Sequence, residues 1–203
     1  MDSRERLVEA MSDLIWERGY AATSPREVRE RSGVGQGSMY HHFPTKRDLG
    51  IAAIRRNCET LLPGTLAPLS EAQDPMDALI RYLSRDSDPL RGCKVGRLTQ
   101  DPEVVADSGM LAPIRDAFQA VHRSLVPVIA QAIRIGQLPP TVDADRLAFA
   151  LTAIIQGGYV LAIAAQDRRL FDEARAGARD LLRATASGRA VAPAAASGEG
   201  ESS

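Results

Sequence analysis

Cysteine is almost missing from this chain: Cys58 and Cys93 are the only two in 203 residues, and they lie far apart. That count gives neither a disulfide framework nor a cysteine-based zinc site, and it suits a reducing cytosol. An excess of one charge is missing as well. The 25 Lys and Arg against 26 Asp and Glu leave a net charge of −1, so any affinity for nucleic acid must come from a local patch. The opening residues, MDSRERLVEAM, hold no apolar run of signal-peptide length, and the expected location is cytoplasmic. No clear period-two alternation appears, so strands are not expected. There is no Ser/His/Asp set, no pair of carboxylates placed for acid–base work, and no metal-ligand spacing. The chain therefore does not read as an enzyme, and no cofactor or metal is expected.

What is present is helical periodicity over most of the length. Leu7, Ala10, Met11, Leu14 and Ile15 make the apolar stripe of a first helix, ended by Gly19. Ser24-Pro25-Arg26-Glu27 is a capping box with proline at the first helical position, opening a short helix to Arg31 that Gly33 stops. A third helix begins near Gly35 or Gln36 and reaches His42; Pro44 breaks the chain, and Thr45 caps a fourth helix to about Leu62. The three prolines of PGTLAPLSEAQDP, residues 63–75, predict a connector between two bodies. Further helices are expected at about 75–86, 94–107, 111–136 (kinked at Pro127), 144–166 and 171–186, followed by a low-complexity, disordered tail over 187–203. The expected fold is all-α, with a three-helix N-terminal domain at about 1–50 and a larger helical domain at 51–186.

The stretch SGVGQGSMYHHFPTKRDL, residues 32–49, sits where a glycine-containing turn separates two short helices. That is the helix-turn-helix arrangement, whose second helix enters the major groove. Gln36 and Ser38 can hydrogen-bond base edges or phosphate, while Tyr40, His42 and Lys46 can reach phosphate oxygens and Met39 and Phe43 face the core. Gly37 inside a helix costs about 1 kcal/mol, a cost that close approach of backbone to DNA would explain. From Ser24 to Arg47, five basic residues (Arg26, Arg29, Arg31, Lys46, Arg47) outnumber Glu27 and Glu30, a local charge of +3. A phosphate-cradling reading of Gly33-x-Gly35-x-Gly37 fails because no strand precedes it and no Gly-Lys-Ser/Thr follows. His41 and His42 are helix neighbours pointing about 100° apart, so they do not form a metal pair.

The run AATSPREVRERSGVGQGSMYHHFPTKRDL resembles the N-terminal DNA-binding domain of the tetracycline-repressor (TetR) family, over roughly residues 4–50. The turn glycine, the Tyr-His-x-Phe run and the Thr-Lys before the fourth helix carry the likeness. The resemblance implies that Arg26, Gln36, Ser38, Tyr40, His42 and Lys46 fall at DNA-contacting positions. Gly35 stands where a capping Ser or Thr is frequent, and Gln36 where Lys is frequent. The same resemblance implies a dimer through the last two helices, repression, and a soluble one-component regulator.

Two further readings concern the body. Residues 147–165, LAFALTAIIQGGYVLAIAA, carry no charge over a length that could span a membrane. Alanines, Thr152, Gln156 and Gly157-Gly158 favour instead a helix buried on two sides, one side against a second subunit, with Phe171, Ala174, Ala178, Leu181 and Leu182 as the matching stripe of the last helix. Gly158 is expected at that subunit contact. Tyr82, Met110, Phe118, His122, Gln156 and Tyr159, as bulky or polar groups on apolar faces, are expected to line a pocket for a small, mostly apolar or aromatic effector. The stretch Gly92-Cys93-Lys94-Val95-Gly96 resembles a Gly-Cys-x-x-Gly element of one branch of the family, with Cys93 as a buried small hydrophobe. The expected function is a homodimeric repressor of a palindromic operator. Its competitors are a membrane-tethered DNA-binding protein and a small helical enzyme with a scaffold-only head.

Overall fold

The computed structural model describes residues 1–187, all helix and connecting loop; the expected tail lies outside the described residues apart from Ser187. Three short helices form the head: α1 (Ser3–Arg18), α2 (Pro25–Ser32) and α3 (Gln36–His42). Local chemistry sets their ends. Asp2 with Glu5 and Ser24 with Glu27 form capping boxes, and Gly33 closes α2 in the left-handed region at φ 65°. Leu7, Met11, Leu14 and Ile15 of α1 are buried against Val28, Val34, Met39 and Phe43.

Helix α4 (Lys46–Glu71) starts in the head, capped by Thr45 and Asp48, and continues into the body. Gly50 permits the crossing, because a Cβ there would lie 2.5 Å from Cε2 of the buried Tyr20. The body adds α5 (Pro75–Ser84), a 3-10 turn (Gly96–Gln100), α6 (Pro102–Ala106), α7 (Ser108–Arg134), α8 (Ala144–Ala165) and α9 (Arg169–Ala186). Helices α4, α5 and α7 pack together, α7 packs on α8, and α8 packs on α9.

Three expected boundaries need correction. The connector over 63–75 is the second half of α4, which runs through Pro63 and Pro68 to Glu71. An internal proline costs about 3 kcal/mol, yet Leu61, Leu62 and Leu66 pack on the core and Thr65 and Leu69 are buried, so tertiary burial keeps the helix going. The expected helix over 94–107 is split at Asp101 into the 3-10 turn and α6. Pro102 disfavours helical backbone at the residue before it. The Asp101 carboxylate then accepts from the Glu103 and Val104 amides. Helix α7 begins earlier than expected because Asp107 accepts from the Gly109 and Met110 amides, and it stays continuous through Pro113 and Pro127.

Candidate nucleic-acid interface and adjoining cavities

Helix α3 is two turns long, and its burial is one-sided. Met39 is buried, as is Phe43 just beyond the helix, whereas Gln36, Gly37, Ser38, Tyr40 and His41 are exposed and His42 is half-buried. Residues three or four apart share a helix face, so anchoring Met39 and Phe43 leaves the remaining side chains outward. Nothing lies within 4 Å of where a Cβ on Gly37 would sit, so packing within the chain gives no reason for that glycine.

The charges around α3 are less free than their sequence suggests. Arg26 pairs with Glu30 at 2.7 Å, Arg31 with Glu17 at 2.6 Å, and Arg47 with Asp107 at 2.5 Å. Lys46 turns inward, 3.8 Å from Glu103 and 4.1 Å from the Tyr20 ring centroid. Arg29 alone among these five has no carboxylate in ion-pair reach among the described residues, and one of its N–H groups lies 3.5 Å from the Gln36 amide oxygen. The local +3 is therefore partly cancelled by Glu17, Glu103 and Asp107, which the fold brings from outside residues 24–47. Exposed pairs such as Arg26–Glu30 are screened by solvent and weak, so phosphates can displace them.

A joint that sequence reasoning missed ties the head to the body. Trp16, the single tryptophan, donates from Nε1 to the Gly92 carbonyl at 3.1 Å, and its own carbonyl accepts from Arg97 at 2.9 Å. Its ring lies under the Arg91 guanidinium, 3.5 Å from the centroid. The Ala21 amide donates to the Asp101 carboxylate at 2.9 Å. Arg47 grips both oxygens of Asp107, at 2.5 and 2.9 Å, and holds that carboxyl down to about 2. Nothing in the local pattern around Trp16 or Asp101 announces these contacts; they pair segments 76 and 80 residues apart.

Loop 91–101, which holds the head, also walls the body's cavities. An inner cavity of about 30 Å³, room for a water or two, is lined by Leu61, Tyr82, Arg85, Cys93, Val95, Phe118 and Gln156 among others. A cleft of about 470 Å³ adjoins it, sharing Leu61, Thr65 and Arg85, and includes Trp16, Ser87, Lys94 and Tyr159. Another, of about 330 Å³, includes Gly92, Cys93, Gly96, Phe118, Gln156, Tyr159 and Val160. A surface hollow of about 460 Å³ lies between α7 and α8 at Phe118, His122 and Phe149. Of the residues expected at a pocket, Tyr82, Phe118 and Gln156 line the inner cavity, Tyr159 lines both neighbouring clefts, and His122 lines the hollow. Met110 does not belong with them: it is buried in the core and walls none of these cavities. Burial pushes the Tyr159 hydroxyl above its ordinary pKa, and it lifts the Cys58 thiol to about 12. Cys93 is buried and its sulfur accepts from the Gly96 amide at 3.2 Å. Among the described residues no group of His, Cys, Asp and Glu is placed to hold a metal ion.

Helix α8 is long and apolar enough to cross a membrane by length and composition alone. One side packs in the chain; the other exposes Phe149, Ala153, Gly157, Val160, Leu161 and Ala164, beside Leu170, Gly177, Leu181 and Ala184 on α9. Two expectations change here. Gly158 faces its own α9, where a Cβ would lie 3.0 Å from Phe171 Cδ2 and 3.3 Å from the Ala174 Cβ, while Gly157 faces open space. Phe171, Ala178 and Leu182 are likewise buried within the chain, leaving Leu181 outward. Gly158 and Phe171 make the close packing of α8 on α9.

A head that presents one side of a short helix after a glycine turn, on an all-helical body with cavities, defines a helix-turn-helix DNA-binding protein with a helical C-terminal domain. Residues 7–53 match the model of bacterial regulatory proteins of the tetR family, and residues 73–178 match the tetracyclin repressor-like C-terminal domain. An HTH-type transcriptional regulator of Mycobacterium tuberculosis is 30% identical over 88% of this chain and 93% of its own length. The HTH-type transcriptional regulator TtgR of Pseudomonas putida is 28% identical over 77% of this chain and 78% of its own. The crystal structure of a TetR-family regulator from Cytophaga hutchinsonii superposes with a TM-score of 0.79 at 22% identity, covering 90% of this chain and 94% of that one. The chain belongs to the TetR family of DNA-binding transcriptional regulators, which are not enzymes.

Proposed function

We propose that this protein is a one-component repressor that binds a palindromic operator as a homodimer and is controlled by a small, mostly apolar effector. The observation that carries the reading is the double duty of loop 91–101, which walls the clefts on one side and holds Trp16 and Ala21 of the head on the other. An effector that fits best when this loop is displaced shifts the population toward heads at the wrong spacing. In this reading Gln36 and Ser38 read base edges, Gly37 lets the backbone approach, and Arg26, Tyr40, His42 and Lys46 take phosphates, Lys46 leaving Glu103 to do so. The apolar side of α8 and α9 pairs two copies, in preference to a membrane, because its glycines and alanines leave room for helices to cross closely.

Selection of bound sequences from random DNA with purified protein tests the reading. The expected product is a two-fold symmetric sequence with half-sites about one helical turn or more apart. Enrichment of asymmetric or unrelated sequences would overturn the homodimeric operator. Derepression of a reporter carrying the selected site, when the gene for this protein is deleted, separates repressor from activator.

A further inference from the structure

We propose that the cleft beside Trp16 takes ligands bearing a carboxylate on an apolar body, and that Arg85 selects them. This deepens the effector reading given above and rests on it. Arg85 follows α5 and borders both the cleft and the inner cavity. One of its N–H groups is given to the Tyr82 carbonyl at 3.1 Å. The guanidinium finds no carboxylate in ion-pair reach among the described residues. The nearby acids are engaged by other arginines: Asp172 by Arg175 at 2.8 Å, and Asp86 by Arg168 at 3.9 Å. Arg175 also donates to the Arg85 carbonyl at 2.6 Å, fixing the backbone from which the side chain leaves.

Two further donors face the same space. The Ser87 hydroxyl is buried beside Tyr159 on the same wall. Lys94 also has no carboxylate in ion-pair reach among the described residues, its ammonium lies 4.9 Å from the Trp16 ring centroid, and burial lowers its pKa. Asp86 and Asp88 border the cleft too, but both residues are exposed, and the Asp86 side chain lies fully in solvent. A guanidinium with no carboxylate partner among the described residues, lying 4.9 Å from the Tyr82 ring centroid, matches a carboxylate in shape and charge. Beyond Arg85 the walls turn apolar, with Leu61, Val95, Phe118 and Val121 around the inner cavity. A cleft of about 470 Å³ falls within the ordinary range for a small-molecule site. The arrangement places the anion at Arg85 and the apolar body within the cleft, along Leu61 and Trp16. Trp16 forms part of the wall, so an occupied cleft is visible in the fluorescence of the one tryptophan and touches the joint that holds the head.

The test titrates the full chain with octanoate, octan-1-ol and octyltrimethylammonium, following Trp16 fluorescence and, independently, calorimetry. Wild type is expected to bind octanoate about 10- to 100-fold more tightly than the alcohol, the ratio that charge-assisted hydrogen bonds provide, and the cation least. Arg85→Gln should abolish that preference, chiefly by loss of octanoate affinity, and Arg85→Lys should restore part of it. Equal affinity for octanoate and octanol, or a preference that survives in Arg85→Gln, overturns the proposal. So does the absence of binding by all three probes. DNA selection on the same preparation keeps the two readings apart: a symmetric operator together with a failed octanoate preference sinks the carboxylate assignment and leaves the regulator standing.

Discussion

Gly157 and Gly158 are neighbours on α8, and putting the same residue at each should give opposite results. Glutamate at 158 would enter space where even a Cβ lies 3.0 Å from Phe171. It would bury an unpaired carboxylate between α8 and α9, at a cost of about 3–5 kcal/mol before any steric strain. For a chain of this length each kcal/mol moves the melting temperature by about 2–4 °C. Gly158→Glu should therefore melt roughly 6–20 °C lower or fail to fold. Glutamate at 157 points into open space within the chain, so the monomer should keep its helical circular dichroism. The proposed subunit contact is where it should act. Phe149, Val160, Leu161 and Leu181 are 63%, 65%, 54% and 64% exposed in the single chain. Covering them is worth about 1–2 kcal/mol each per copy, before the cost of association. An unpaired charge in the middle of that patch removes about 3–5 kcal/mol, weakening self-association by roughly 100-fold or more. Sedimentation velocity over a dilution series, paired with thermal melts, reads both effects. A Gly157→Glu protein that sediments as a dimer at the wild-type concentration, or a Gly158→Glu protein that melts with the wild type, would refute the assignment of the two faces.

Other outcomes follow from the head and its joint. Gln36→Ala should cost about 1–3 kcal/mol on the selected operator and relax preference at one position, whereas Tyr40→Phe should lower affinity about fivefold on every sequence; gel-shift titrations showing the same profile for both would break the division of roles. Arg47 holds Asp107 at about 2 against an ordinary 3.8, so the contact contributes stability that is complete above the unfolded value and is lost as the pH falls through the folded one. Asp107→Asn should thus melt lower than wild type near neutral pH and converge with it near pH 2, and a gap independent of pH would contradict that origin. With its thiol raised to about 12 by burial, Cys58 should resist iodoacetamide in the folded protein at about pH 8 and react in urea, as mass spectrometry of the labelled peptide would show.

Much of the molecule is legible from short-range signals. Capping boxes at Ser24 and Thr45, the left-handed Gly33 and the apolar spacing of α1 act within four residues, and each was readable where it stands. The outward set on α3 was readable for the same reason: Met39 and Phe43 supply the inner side, and a helix two turns long has no second way to turn. Signals that depend on distant segments were not. Pro63 and Pro68 read as breakers because the leucines that bury the second half of α4 matter only once α5 and α7 lie against it.

The pattern of residues by itself determined that the chain is helical, where the reading head lies, and which helix the head presents. Only tertiary structure decided which of two adjacent glycines looks inward, which acids quench the basic patch, and that Arg85 stands at a cleft without a carboxylate partner among the described residues. The physical reason is range. Backbone caps and helical periodicity are set by neighbours along the chain, whereas burial and ion pairing are set by neighbours in space, as when Arg47 meets Asp107 across 60 residues.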